Sequence, residues 1–187
     1  MTETKPLKVV GFNGSFKVNG NTAQLIEMVF SELRNEGIEC ELIQVGNAKS
    51  VSGCNGCGRC ASTHRCEIAG PDDPVNTWFA KMKEADGIIL GSPVYFANVS
   101  VEMKSLIDRC GMLNVTAGRN NFRHKIGAAV VAARRNGSDN VFDSINKFFL
   151  TQQMHVVGSI HWNNGKNMAY VLKKMNDPLT AHIIPPE

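Results

Sequence analysis

The sequence predicts an α/β fold, a doubly wound parallel β-sheet with α-helices on both faces. Short apolar segments alternate along the chain with amphipathic segments whose apolar residues recur at helical spacing. This alternation is typical of β-α-β units, which place their strands in parallel. With 187 residues and no internal repeat, the chain is interpreted as one domain, residues 1–187, large enough to bury a core.

The first three elements follow from local patterns near the N-terminus. Residues 7–12 form an apolar run that predicts the first strand, and residues 38–45 predict the second. Between them, residues 21–35 predict a helix that Gly37 ends, since glycine is common just beyond a helix. The apolar face of this helix comprises Leu25, Ile26, Val29, Phe30 and Leu33.

The remaining elements continue the alternation. The third strand is apolar throughout, which is typical of a strand covered on both faces. Gly111 is expected to end the helix that follows this strand. The predicted elements are a helix over residues 74–84, the third strand over 87–91, a helix over 99–110, a strand over 126–133, a helix over 140–154 and a strand over 156–160.

One connection, residues 46–73, is too long for an ordinary loop and holds four clustered cysteines. Structureless loops of this length in a compact domain are usually functional. Cys54, Cys57, Cys60 and Cys66 follow the pattern C-x2-C-x2-C-x5-C within thirteen residues. Four thiolates so close in sequence can bind a cubane cluster, and the glycines between them permit the turns that wrapping it requires. The spacing therefore predicts a [4Fe–4S] cluster.

Three alternatives to a cluster were weighed for these cysteines. A structural zinc site usually joins two cysteine pairs separated by about a dozen residues or more, so the tight run disfavours zinc. Disulfides are disfavoured because the N-terminus resembles no secretory signal and cytosolic thiols stay reduced. Free or redox-active thiols in a surface loop remain open. The other two cysteines, Cys40 and Cys110, stand in apolar patterns and are expected to be small buried residues.

Composition narrows the class of partner. A net charge of +3 is too small to predict binding to nucleic acid or to a membrane surface. No apolar run reaches the length of a membrane span. We therefore expect a cytoplasmic protein with no nucleic-acid and no membrane partner.

Residues 14–22, between the first strand and the first helix, predict an anion site. Small and hydroxyl residues there leave backbone N–H groups at a helix N-terminus, where the helix dipole favours negative charge. Neither the dinucleotide pattern G-x-G-x-x-G nor the G-K-[ST] of nucleoside triphosphatases is present. We therefore predict that the loop binds a single phosphate group. An ordinary Ser/Thr helix cap is the alternative.

A second candidate segment, residues 91–98, follows the third strand. It contains a proline and two adjacent aromatic residues, Tyr95 and Phe96. A proline-stiffened turn with two aromatics at the carboxyl end of a strand can flank a planar ring. Alone, two adjacent aromatics are more often core packing. Together with a phosphate loop, they predict the other half of a flavin pocket.

These segments together resemble the NADPH-dependent FMN reductase superfamily. The resemblance rests on residues 14–22, 85–96 and 104–109 and on the clustered cysteines, and it covers residues 7–160. The compact cysteine run is similar to that of the iron–sulfur flavoproteins of anaerobes. The resemblance implies a flavodoxin-like sheet of five parallel strands in the order 2-1-3-4-5, with FMN beyond the carboxyl ends of the strands.

The resemblance also implies roles for individual residues. No catalytic side chain is assigned, because the chemistry would take place on FMN. The family implies a homodimer or homotetramer with flavin sites at the subunit interface. The implied cofactor-binding residues are Ser15, Asn21 and Thr22, with Lys17 as an added charge, then Pro93, Val94, Tyr95 and Phe96, and finally Ala133 and Arg134 after the fourth strand.

The leading functional hypothesis is an FMN-dependent oxidoreductase or electron-transfer flavoprotein. Its [4Fe–4S] cluster would relay electrons between a one-electron donor such as ferredoxin and FMN, with NAD(P)H as another reductant to test. The first alternative is an NAD(P)H-dependent FMN or quinone reductase without a cluster. The second is a flavodoxin-like electron carrier without a substrate of its own.

Overall fold

Five parallel strands form the centre of the protein. The computed structural model describes residues 6–49, 51–116 and 120–158. The strands are β1 (Lys8–Asn13), β2 (Glu39–Gln44), β3 (Gly87–Pro93), β4 (Ile126–Ala132) and β5 (His155–Val156). They lie in the order β2-β1-β3-β4-β5 and all neighbours pair in parallel, which confirms the predicted order.

Helices cover both faces of the sheet, as predicted. They are α1 (Asn21–Asn35), α2 (Cys60–Thr63), α3 (Val75–Glu84), α4 (Val101–Thr116) and α5 (Ser138–Thr151). On one face, Ile26 and Phe30 of α1 pack with Ile89 of β3. The next residues along β3, Ile88 and Leu90, point to the opposite face and join the larger core with α3, α4 and α5.

The strand order creates a crevice at the carboxyl edge of the sheet. Because β1 lies between β2 and β3, the chain leaves β1 toward one side and comes back to β3 on the other. In open parallel sheets, ligands bind at such a switch point, beyond the carboxyl ends of the strands. The loops that follow β1, β3 and β4 all begin at this edge.

The predicted helix stop at Gly111 is wrong. α4 continues through this residue to Thr116, and Gly111 is buried within it. A Cβ on Gly111 would lie 3.5 Å from the ring of Phe148 and 3.6 Å from the side chain of Gln152. The glycine therefore lies inside α4 where the helix faces the C-terminal end of α5, and it does not end the helix.

The other differences from the predicted elements are small. α2 is a single turn inside the cysteine-rich loop, too short for apolar periodicity to predict. Val29, predicted on the apolar face of α1, is 38% exposed. β5 occupies two residues, and residues 159–160 of the predicted strand lie outside the described residues. Across the segments that the structure describes, no helix combines the length and the hydropathy that crossing a bilayer requires.

Candidate functional site

The loop between β1 and α1, residues 14–20, forms a cradle at the crevice. Ser15 is buried, and its Oγ accepts a hydrogen bond from the Lys17 N–H at 3.2 Å. Gly20 is the N-cap of α1, and no side chain accepts a hydrogen bond from the first turn of the helix. An ordinary Ser/Thr cap is therefore excluded. The first-turn N–H groups, which have no partner within the helix, are available to an anion.

Two side-chain amides, Asn13 and Gln44, hold the cradle in shape. Asn13 is fully buried, its Oδ1 accepts the Ser15 N–H at 3.0 Å, and its Nδ2 donates to Gln44 Oε1 at 2.7 Å. Gln44 Nε2 donates in turn to the Ser15 carbonyl at 2.6 Å. Both peptide groups of Ser15 are thus fixed. The sequence carries no signal for these residues, because a single amide at a strand end has no distinctive spacing.

The predicted phosphate-binding side chains differ in exposure. Thr22 is buried, and its methyl group lies 3.0 Å from where a Cβ on Gly91 would stand. It therefore packs directly on the backbone of β3. Lys17 and Asn21 are exposed at the mouth of the cradle. The Gly14 N–H donates to the Gly91 carbonyl at 2.7 Å, which joins the cradle to the end of β3.

The cysteine-rich loop begins directly against the cradle. The N–H groups of Val45 and Gly46 both donate to the Asn13 carbonyl, at 2.9 and 3.0 Å. A Cβ on Gly46 would come closer than 3.0 Å to backbone atoms of Gly14 and Ser15. Backbone atoms cannot swing aside as the end of a side chain can, so only glycine fits at this position.

We expect Gly46→Ala to displace the cradle and to weaken flavin binding at least tenfold, which corresponds to about 1.4 kcal/mol. The methyl group should also lower the free energy of unfolding by about 1–3 kcal/mol, the usual cost of overpacking. Fluorescence titration with FMN and urea unfolding measure the two effects. Gly70→Ala is the matched control, because a Cβ there meets no atom within 4 Å. Equal FMN affinities for the two variants would contradict this role of Gly46.

A strained turn after β3 presents two aromatic rings at the same edge. Tyr95 and Asn98 exchange backbone hydrogen bonds of 2.9 and 3.1 Å, which closes the turn. Its central residues, Phe96 and Ala97, have φ values of 46° and 65°, a left-handed conformation that is unusual for such side chains. Phe96 is fully exposed and Tyr95 is 47% exposed, so core packing does not account for them. Such strain persists mainly at ligand-binding segments.

The loop after β4 lies beside this turn. The Val94 N–H donates to the Ala132 carbonyl at 3.2 Å. A Cβ on Gly137 would lie 3.1 Å from the Cα atom of Ala97, so the two loops approach each other at backbone level. Of the residues predicted to bind flavin, Pro93, Val94 and Ala133 are half-buried and Arg134 is exposed. The three predicted segments therefore share one edge of the sheet.

The cysteine-rich loop does not stay at the β2 edge but reaches α4, the helix after β3. Cys60 Sγ shares a hydrogen bond of 3.0 Å with Thr116 Oγ1. Cys66 is held more firmly, because its N–H donates to Asn76 Oδ1 at 2.8 Å and its carbonyl accepts from Asn76 Nδ2 at 3.1 Å. Arg109 of α4 donates to Cys66 Sγ. Two of the four predicted ligands are thus anchored to the helical layer.

The other two cysteines lie on an exposed, glycine-rich segment. Cys54 and Cys57 are both exposed. Gly56 and Gly58 have φ values of 70° and 71°, and a Cβ on either would meet nothing within 4 Å. Hydrogen bonds from the backbone N–H and the guanidinium of Arg59 lower the pKa of the Cys57 thiol. A lowered pKa favours the thiolate, which is the form that binds metal.

The four sulfurs are not gathered into a metal site. In the described part of the chain, no three cysteine, histidine or carboxylate side chains lie close enough to hold a metal ion. The donor set nevertheless fits a [4Fe–4S] cluster in number and chemistry, since it supplies four thiols within thirteen residues. The segment with Cys54 and Cys57 is rich in glycine, which permits the turns that closing around a cluster would require.

The remaining cysteines differ from these four. Cys110 is completely buried beneath α3, and burial strongly raises the pKa of its thiol, which stays protonated. Cys40 is only half-buried, against the smaller core beside α1, and its pKa is also raised by burial. The expectation of small residues in apolar surroundings is confirmed for Cys110 and holds in part for Cys40.

A buried ion pair connects the cysteine-rich loop to α4. Arg109 Nη1 donates to Asp73 Oδ2 at 2.5 Å, with the two side chains 0% and 3% exposed. The position of Arg109 in the sequence offers a signal, because it interrupts the apolar residues Leu106, Ile107 and Cys110 of a helix. An arginine on an apolar helix face needs a buried partner.

A cavity of about 360 Å³ separates the cysteine-rich loop from the turn after β3. Its lining includes Gly53 from the loop, Asn98 from the turn, and Lys104 and Asp108 from α4. The strand order alone would leave a loop after β2 apart from the turn after β3, but the long loop extends to α4. Gly53, which adjoins Cys54, and Asn98, which closes the turn, therefore line one cavity.

Comparisons with known proteins show which sequences and folds this chain is similar to. A sequence model of the NADPH-dependent FMN reductase family matches residues 7–168. A protein named iron-sulfur flavoprotein from Methanocaldococcus jannaschii is 41% identical over 154 residues, which is 81% of this chain and 76% of that protein. One of the same name from Methanosarcina thermophila is 32% identical over 167 residues, 84% of this chain and 83% of that protein.

A solved structure shares the fold. The flavodoxin from the domain Archaea superposes with a TM-score of 0.56 at 16% sequence identity, covering 89% of this chain and 90% of that chain. At this identity the likeness concerns the fold alone. It agrees with the five-stranded parallel sheet and its strand order.

Proposed function

Because the chain belongs to the NADPH-dependent FMN reductase family, we propose that it is an electron-transfer flavoprotein holding FMN and one [4Fe–4S] cluster. Membership of this family supports an FMN-dependent oxidoreductase. The presence of the cluster and the nature of the electron donor are what we propose in addition. The donor is a one-electron carrier of the ferredoxin class. The observation that carries the proposal is the start of the four-cysteine loop at Gly46, packed against Ser15 of the cradle.

The cradle and the strained turn divide the binding of FMN between them. The N–H groups of the first turn of α1 and the hydroxyls of Ser15 and Thr22 bind the phosphate. Tyr95 and Phe96 stand at the same edge as exposed rings that flank the flavin. FMN would supply one- and two-electron chemistry and the cluster one-electron transfer. The protein supplies binding, orientation and charge.

We expect the chain to bind FMN rather than FAD, because the cradle has room for one phosphate and no second phosphate motif is present. Thr22→Leu should weaken FMN binding at least tenfold, about 1.4 kcal/mol, since Thr22 is buried against Gly91 and has no space for a larger side chain. Thr22→Ser, which keeps the hydroxyl, is the control. FAD as the main flavin extracted from the purified protein would contradict this prediction.

The cluster is assigned to Cys54, Cys57, Cys60 and Cys66. Cys60 and Cys66 supply two ligands already fixed to α4 and α3. Cys54 and Cys57 complete the set when the glycine-rich segment closes toward them. The N–H and guanidinium of Arg59 favour the thiolate of Cys57 before iron arrives. In this proposal the cavity lined by Gly53 and Asn98 would lie between the cluster and the flavin ring.

The proposed assembly is a homodimer or homotetramer that packs through α4. Val101, Met112 and Val115 are exposed and fall on one stripe of this helix, with the Lys104–Asp108 ion pair between them. Val101, at the start of the stripe, follows the turn with the exposed Tyr95 and Phe96 along the chain. Burial of these exposed apolar side chains would favour association, and a second copy of the chain would bring its own flavin edge close to the cluster.

Light scattering on the eluting protein should give two or four times the 20.4 kDa of one chain. The paired substitution Val101→Asp and Val115→Asp should give a monomer, because it places two charges on the stripe. Leu150→Asp is the control, since Leu150 is an equally exposed apolar residue on α5. A strict monomer that still reduces its flavin through the cluster would contradict electron transfer from the cluster of one subunit to the flavin of another.

One observation favours a second candidate function. Cys57 is exposed and its thiol has a lowered pKa, which is typical of a reactive thiol. An NAD(P)H-dependent FMN or quinone reductase with redox-active thiols would fit this feature without a cluster.

Steady-state turnover separates the two candidates. The anaerobic protein should accept electrons from reduced ferredoxin faster than from NADPH, and removing the iron should abolish the ferredoxin reaction alone. Turnover with NADPH that is indifferent to the iron content would favour the reductase.

A further inference from the structure

The guanidinium of the buried Arg109 donates hydrogen bonds to three residues of the cysteine-rich loop. Its Nε–H and Nη2–H donate to Cys66 Sγ, at 3.3 and 3.0 Å. Nη1 donates to Asp73 Oδ2 at 2.5 Å and to the Ser52 carbonyl at 3.2 Å. Two nitrogens along one edge of the guanidinium therefore donate to a sulfur atom, and the third nitrogen donates to oxygen atoms. Arg109 contacts both ends of the cysteine-rich loop.

Charge balance alone does not account for this geometry. A buried guanidinium needs a counter-charge, and Asp73 supplies it. A neutral thiol is a weak acceptor, so two donors directed at one sulfur add little to a purely structural ion pair. A metal-bound thiolate carries negative charge and accepts charge-assisted hydrogen bonds. The arrangement therefore suits Cys66 as a ligand better than Cys66 as a free thiol.

The backbone of Cys66 is already fixed when Arg109 acts on its side chain. Asn76 pairs with both the N–H and the carbonyl of Cys66, at 2.8 and 3.1 Å. Only the sulfur remains to be oriented, and the two N–H groups of Arg109 orient it. Hydrogen bonds from outer residues to metal ligands set both the ligand orientation and the potential of the metal.

Resting on the proposed function, we propose that Arg109 is a positioning residue that holds the Cys66 sulfur as a ligand and raises the reduction potential of the cluster. N–H groups directed at a ligand sulfur stabilise the more negative, reduced state. The redox step is the gain of one electron by the cluster from a ferredoxin-class donor. Arg109 keeps its proton in both states and transfers nothing. Asp73 keeps the guanidinium in place.

Two variants test this role on the anaerobic, cluster-loaded protein. Arg109→Lys keeps the charge but loses the planar fork that reaches Cys66 and Asp73 together. Arg109→Met with Asp73→Asn removes the sulfur donors without leaving a buried unpaired charge, so the fold is preserved. Arg34→Met is the matched control, because it removes an exposed arginine of an ion pair on α1, on the other face of the sheet. The readouts are iron per chain and the midpoint potential from an EPR-monitored titration.

In the double variant, the ratio of reduced to oxidised cluster at a fixed potential should fall at least tenfold, a downward shift of about 59 mV for a one-electron couple. Arg109→Lys should shift it in the same direction by less, and Arg34→Met should leave it unchanged. Folded variants that lose the cluster altogether, while Arg34→Met retains it, would also support the positioning role. An unchanged potential in both Arg109 variants with full iron content would overturn the role and leave the proposed function intact. A wild-type protein without iron would overturn both.

Discussion

We expect that replacing any one of Cys54, Cys57, Cys60 and Cys66 with alanine will remove most of the iron and sulfide from the anaerobically purified protein. The reason is that a [4Fe–4S] cluster needs four thiolate ligands and this loop supplies no spare one. Cys66→Ala should have the largest effect, because Asn76 and Arg109 both fix this residue in place. Iron and acid-labile sulfide per chain are the measurements.

The two other cysteines provide the controls. Cys110 is buried under α3 with a protonated thiol, and Cys40 packs beside α1 on the other face of the sheet. Alanine at Cys110 should retain the iron and cost about 1 kcal/mol for the small cavity that it leaves. Alanine at Cys40 should cost less, since that side chain is only half-buried. Equal loss of iron from all six variants would contradict the division between ligands and core residues.

Arg109→Met alone should lower the free energy of unfolding by about 3–5 kcal/mol. The substitution leaves the Asp73 carboxylate, whose side chain is 3% exposed, without the cation that compensates it. Arg109→Met combined with Asp73→Asn should recover most of the loss, because no unpaired charge remains buried. Urea midpoints at equal m-values give the comparison.

The exposed pair on the same helix is the control for this second prediction. Lys104 and Asp108 have side chains 55% and 37% exposed, so Lys104→Met should change the free energy of unfolding by less than about 1 kcal/mol. If Arg109→Met were as mild as Lys104→Met, or if adding Asp73→Asn gave no recovery, the buried pair would have no special role in stability.

The fold could be predicted because its cause is periodicity. Apolar runs and amphipathic segments repeat along the chain, and that pattern determines which faces must be covered. Gly111 shows where the pattern is insufficient. A glycine after four apolar helical positions can end a helix or admit a neighbouring helix, and the proximity of Phe148 decides between the two.

The segments that form the candidate site could be predicted from the sequence, but the side chains that hold those segments in place could not. The uncapped start of α1 and the turn with Tyr95 and Phe96 follow from local sequence, since turn and helix-start chemistry are local. Asn13 and Gln44 act through contacts between strands 31 residues apart in sequence. Long-range pairs of this kind leave no spacing pattern.

The path of the cysteine-rich loop could not be predicted from the sequence pattern. The order of the strands alone suggests that a loop after β2 stays at that edge. Instead, the loop is drawn to α4 because Arg109 cannot be buried without Asp73, and Asp73 lies at the end of the loop. This buried pair ties the end of the cysteine-rich loop to α4.

The most direct test of the account is the cofactor content of the protein purified under anaerobic conditions. Flavin, iron and acid-labile sulfide should be measured on one sample, together with its visible spectrum. We expect one FMN, about four iron and about four sulfide per chain, with cluster absorption beneath the flavin bands. FMN with no iron or sulfide, in a protein whose four loop cysteines all react as free thiols, would contradict it.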